Sequence, residues 1–190
     1  MSGGRLVVAG AAAAVVVVSL LFVGLSRRYG GSPTKAAAVN LPAAAEATAG
    51  RKIKAHLFYV TEDGARLTDV EHDVAFGEGT VEQARQIIEA QLAPVAEPLV
   101  SAIPAGTTLR SIFVTANGEA FVDLSRQIVD AHSGGSMNET LTVYTLVHVL
   151  TANMPAVTSV QVLVEGKEVD TLAGHLDLRG PLEKNLAWVQ

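Results

Sequence analysis

Thr107-Thr108-Leu109-Arg110-Ser111-Ile112-Phe113-Val114-Thr115, then Asn117-Gly118, then Glu119-Ala120-Phe121-Val122-Asp123-Leu124, decides the fold. Two runs rich in β-branched and aromatic residues flank an Asn-Gly pair. That is the strongest short-range signal of a β-hairpin, because a two-residue type I′ turn needs positive φ at both central positions. Asn117 and Gly118 are therefore expected to be structural.

Downstream, Ser133-Gly134-Gly135-Ser136 leads into a long apolar stretch, Leu141, Tyr144, Val147, His148 and Leu150, ending at Asn153-Met154-Pro155. Ser136 and Glu139 fit S-x-x-E, so a helix with a reciprocal capping box is expected there, with Ser136 worth about 1 kcal/mol. Val160–Gly166 and Glu168–Leu172 read as two strands around Gly166-Lys167. Upstream, Lys52–Val60 reads as a strand entering a core, and Leu67, Val70, His72 and Val74 as a more exposed one. Thr80 with Gln83 suggests a capped helix carrying Val81, Ala84, Ile87, Ile88 and Leu92 on one face. The order β-β-α-β-β-α-β-β predicts an α/β (α+β) domain, one mixed sheet with two covering helices.

The first fifty residues have another character. Leu6–Leu25 is 20 residues without a charge, long enough as a helix to span roughly 30 Å of hydrocarbon. Ser26-Arg27-Arg28 follows at once, and the first small-residue site, Ala36-Ala37-Ala38, lies well beyond. An uncleaved transmembrane signal anchor over 1–28 is expected, with the lipid bilayer as its partner. Residues 29–50 read as a flexible tether, 51–182 as the domain and 183–190 as a C-terminal tail.

The chain of 190 residues has no cysteine, which excludes disulfides and thiolate chemistry. Residues 1–50 carry four basic side chains against one acidic, and the remainder ten against eighteen. An acidic domain is poorly suited to phosphate backbones, so no nucleic acid is expected. None of the five histidines pair at metal-ligand spacing. Gly134-Gly135-Ser136 lacks the lysine of a phosphate loop, and Glu71-His72-Asp73 would alternate across a strand. Asp123 with Glu139 or Asp177 could form a carboxylate pair only if folding joined them. No catalytic, cofactor-binding or metal residues are nominated, and no enzyme is expected.

Ile103-Pro104-Ala105-Gly106-Thr107, Phe121–Ser125, Gly134-Gly135-Ser136 with Glu139, Tyr144–Val147 with Leu150-Thr151, Val164-Glu165-Gly166 and Thr171–Leu178 together resemble the GerMN domain of sporulation and germination proteins. The likeness covers roughly 57–180. It implies a fold similar to ring-building modules, an extracytoplasmic domain on the bacterial cytoplasmic membrane, and action through an envelope protein partner or self-association. Flanking charges alone lean slightly the other way. The chain departs from the family in having a single copy, a transmembrane segment in place of a lipidated cysteine, and His148 where an asparagine is expected. The alternatives are a cell-wall-associated hydrolase and a cell-wall or small-ligand binding domain.

Overall fold

A computed structural model describes residues 50–190. The anchor ending at Leu6 and Leu25, and all of the tether up to residue 49, lie outside the described residues. Among the described residues no helix is long and apolar enough to cross a membrane.

Strands β1 (Lys52–Val60) and β2 (Leu67–Ala75) form an antiparallel hairpin. Helix α1 (Thr80–Leu92) follows, then β3 (Leu109–Val114), β4 (Glu119–Leu124) and a single turn of helix, α2 (Gln127–Asp130). Helix α3 (Ser136–Asn153) leads to β5 (Ser159–Val164) and β6 (Lys167–Glu168). Strand β7 (Leu182–Glu183) and a 3₁₀ turn, Leu186–Trp188, complete the chain.

There are two sheets, not the single one expected. The larger is mixed, ordered β3-β4-β5-β6, with β4 parallel to β5 and β7 also paired to β5. The hairpin β1–β2 stays separate because side chains, not a strand, close most of its edge. Asn153 at the end of α3 accepts from His56 N and donates to His56 O, both at 2.8 Å. Gln91 of α1 does the same for Phe58, again at 2.8 Å each way. Each amide supplies the donor and acceptor that a neighbouring strand would have offered. Gln91 is buried to do so.

Every residue from Leu141 to Leu150 is buried, the polar Thr142, Thr145 and His148 included. Helix α3 packs against β1, β5 and α1, so no face of these turns meets water and no polar stripe is needed. Thr142 and Thr145 satisfy their hydroxyls on carbonyls one turn back, Asn138 and Leu141. Ile112, Ala120, Val122, Leu124, Val160, Val162 and Val164 contribute the sheet's share of the same core.

Several local expectations need correction. The Asn117-Gly118 hairpin exists, but its loop has three residues: Gly118 N donates to Thr115 O at 3.1 Å, and Thr115 N to Glu119 O at 2.9 Å. Only Gly118 has positive φ, at 87°, so this is a type I turn closed by a glycine bulge. The primed two-residue turn lies instead between β5 and β6, where Glu165 (55°) and Gly166 (73°) are both left-handed. Strand β6 stops at Glu168, because the following segment is drawn toward α3. The capping hydroxyls are absent as well. Gly79 and Gly135 occupy the N-cap positions, and neither Thr80 nor Ser136 makes a cap bond. Gln83 reaches back to Gly77 N, not to its own cap. Ser136 is exposed, so Ser136→Ala should change unfolding free energy by less than about 0.5 kcal/mol in denaturant titration.

Residues 183–190 are not a tail. Leu182 and Glu183 pair with β5, Trp188 stacks near Tyr144 at 6.1 Å between centroids, and Gln190 N donates to Leu67 O at 3.0 Å.

Candidate functional site

The acidic side chains that could carry chemistry are Asp123, Glu139 and Asp177, and each has its own partners. Glu139 sits in the first turn of α3 with a side chain 0 % exposed. One carboxylate oxygen accepts from Leu172 N (2.8 Å) and Ala173 N (3.0 Å). The other accepts from His175 N (2.8 Å) and lies 3.2 Å from His175 Nδ1. The loop presents these amides together because Gly174 turns at φ 93° and donates to Thr171 Oγ1. Burial pushes the Glu139 carboxyl up, but the amides of Ala173, Leu172, His175 and Leu176 outweigh it and hold the group below its ordinary range. The expected capping residue is in fact a clasp between a helix and a loop more than thirty residues away.

Asp123 does a similar task on the sheet. Its Oδ1 accepts from Gly166 N at 2.7 Å and its Oδ2 from Arg110 Nε at 3.1 Å. Arg110 also reaches Glu165 at 3.3 Å, and Glu165 accepts from Arg126 N at 3.1 Å. The network pins the β5–β6 turn to β3, β4 and the start of α2. Asp177 is exposed and paired with Arg179 at 2.6 Å, whose guanidinium holds its carboxyl down to about 2. The three carboxylates thus share no partner, and no paired acid–base arrangement forms among them.

The histidines divide in the same way. His132 receives Gly134 N and sits 3.2 Å from Thr142 Oγ1, fixing the turn before α3. His72 lies 3.3 Å from the Tyr59 hydroxyl, on the opposite face from Glu71 and Asp73, as strand alternation requires. His148 lies between the rings of Phe58 (5.5 Å) and Tyr144 (5.9 Å), its Nε2 donating to Asn185 O at 3.1 Å. Burial first, and Lys184 second, push its pKa down against the pull of that carbonyl. It is a neutral core histidine at pH 7.

One cleft of about 340 Å³ opens beside it, lined among others by His56, Phe58, Asp69, His148, Lys184 and Leu186. His56 Nδ1 lies 2.5 Å from Asp69 Oδ2 at its rim. Among the described residues no group of three or more His, Cys, Asp or Glu is placed to hold a metal ion. Gly118 meets the α3–β5 connection, while Asn117 and Ser136 are exposed. The edge-closing roles of Gln91 and Asn153 and the place of Lys184 beside His148 carried no sequence signal, since each acts on residues distant in the chain.

Comparison with known proteins bears on this arrangement. The family model described as Germane, sporulation and spore germination, matches residues 56–170. The fold is similar to the first GerMN domain of the sporulation protein GerM from Bacillus subtilis, at 17 % identity and TM-score 0.51, covering 70 % of this chain and 96 % of that one. The tandem GerMN domains of the same protein match at 16 % identity and TM-score 0.52, over 70 % of this chain and 46 % of theirs. A candidate lipoprotein from Clostridium perfringens matches at 21 % identity and TM-score 0.50, covering 70 % and 88 %. No curated protein matches the chain.

Proposed function

The chain belongs to the Germane family of sporulation and spore germination, and on that premise we propose that it is a membrane-anchored, extracytoplasmic module that works by binding an envelope protein or a second copy of itself. The observation that carries this reading is the use made of its acidic groups. Glu139 and Asp123 give their hydrogen-bonding capacity to backbone amides and an arginine, which stabilises two turns and leaves neither free as an acid or base. The charge-free Leu6–Leu25 supports the anchor, and the likeness to a candidate lipoprotein supports an envelope location. Tethering near a surface raises effective concentration, so weak contacts can sustain an assembly.

Fractionation followed by crosslinking in cells tests this. Full-length protein should be extracted only by detergent, and a specific envelope partner or homodimer should crosslink to the domain. Val16→Arg should reduce membrane insertion, since a charge at the helix centre costs about 2.5–3.5 kcal/mol. A soluble product starting near residue 36 would refute the anchor. The cleft of about 340 Å³ favours a second reading, small-ligand or cell-wall binding, because it falls within the size range of ligand pockets. Saturable binding of a cell-wall fragment, abolished by Lys184→Glu, would favour that reading.

A further inference from the structure

Resting on the reading of the domain as a binding module, we propose that the outer edge of β2 is a docking site for an extended, cationic segment of a partner protein. The segment adds as a third strand beside Asp69, Glu71 and Asp73.

The register decides which backbone groups point outward. Phe76 N donates to Arg51 O, and Thr61 N to Arg66 O, so the bonded pairs of the hairpin fall at odd-numbered positions of β1. His56 and Phe58 turn their N–H and C=O away from β2, onto Asn153 and Gln91. Their cross-strand partners Glu71 and Asp69, and Asp73 opposite Lys54, must turn theirs away from β1. On β1 these outward groups are taken at His56 and Phe58. On β2 the backbone groups of Asp69, Glu71 and Asp73 have no partner among the described residues, and all three residues are exposed.

Both ends of this stretch are already occupied. Ala75 O accepts from Gln83 Nε2 at 3.4 Å. At the other end Val189 bridges Leu67 in parallel and Gln190 N donates to Leu67 O. The edge therefore already accepts an extended neighbour at its start, and about five residues, roughly 17 Å, stay open beyond it.

Charge chooses the occupant. Lys54 Nζ stands 2.8 Å from Asp73 and 3.4 Å from Glu71, and His56 pairs with Asp69, so basic groups on β1 face a column of carboxylates on β2. Those carboxylates stay 41–54 % exposed. An added strand with Lys or Arg at alternate positions sets a second cation beside each of them. One bearing Asp or Glu would place like charges opposite and be rejected. The same carboxylates deter indiscriminate edge pairing.

The test uses the full chain in detergent and the end-blocked peptide TKVKVKT. Saturable binding is expected, with slowed hydrogen exchange at the Asp69, Glu71 and Asp73 amides. Methylating the peptide's backbone nitrogens at alternate residues should weaken binding on the order of tenfold, the equivalent of about two hydrogen bonds. Glu71→Pro removes an outward N–H without touching a β1–β2 bond and should weaken it similarly. Glu71→Lys and the peptide TEVEVET should both reduce binding further. Binding indifferent to N-methylation would be surface adsorption and would overturn the proposal, as would absence of saturation at millimolar peptide. An envelope partner that still crosslinks to Glu71→Pro at wild-type level would overturn this edge while leaving the binding-module reading intact.

Discussion

Gly118→Val should destabilise the domain severely, with a loss on the order of 3 kcal/mol or more in denaturant unfolding. Two causes act together. Gly118 sits at φ 87°, where a β-branched residue is strained. A Cβ there would also stand 2.6 Å from Ala156 O and 3.0 Å from Thr158 Oγ1. Ala156 O is backbone and cannot swing aside, and Gly118 O itself accepts from Thr158 N at 2.8 Å. The glycine is the point where the β3–β4 turn meets the connection from α3 to β5. Gly118→Ala meets the same oxygen and should also be destabilising. Asn117→Ala should cost far less, since Asn117 has no positive φ to keep. Equal losses at Asn117 and Gly118 would restore the primed turn and contradict this account.

Glu139→Leu should be comparably damaging. It strands three backbone N–H groups, those of Leu172, Ala173 and His175, at a side chain with no exposure of its own. Hydrogen bonds to a charged acceptor contribute about 1.5–3 kcal/mol each, and a buried donor left unpaired costs about 1–3 kcal/mol. Partial opening of the loop to water limits the total, so about 3–5 kcal/mol is expected. Glu139→Gln keeps one acceptor but turns an NH₂ toward backbone donors, and should fall between wild type and Leu. The pH dependence has a definite sign. Because the folded carboxyl lies below its ordinary 4.5, its contribution is fully present above that value and is lost as pH falls through the folded pKa. His148, held below its ordinary 6.5, adds a loss in the same direction that begins as pH drops past 6.5. Equilibrium unfolding from pH 7 to 3 should show stability declining throughout, with the acid limb shallower in Glu139→Leu.

Much of the fold was legible because periodicity and turn chemistry are local. Lys52–Val60 alternates and then turns apolar, the Asn-Gly pair sits between β-rich runs, and the apolar run after Ser136 is too long for a strand. What was hidden depends on contacts across the chain. Nothing near Gln91 or Asn153 says that their amides will close the edge of β1 and keep the hairpin apart from the main sheet. Glu139 fits a capping box by spacing, yet the loop at Leu172–His175 outcompetes the helix's own amides for its oxygens. Residues 183–190 are too few to show a periodic pattern, and only the fold reveals that Trp188 and Gln190 have places to dock. The carboxylates singled out as possible chemistry were the right residues to notice for another reason. They hold turns.

The most direct test pairs two readings on the same samples, unfolding free energy and turnover of cell-wall material, for wild type, Asp123→Asn, Glu139→Gln and Asp177→Asn. The account predicts no turnover by the wild type, clear destabilisation in the first two variants and little in the third, whose carboxylate is exposed. A variant that kept wild-type stability while abolishing a measured wild-type turnover would contradict it and make the domain an enzyme.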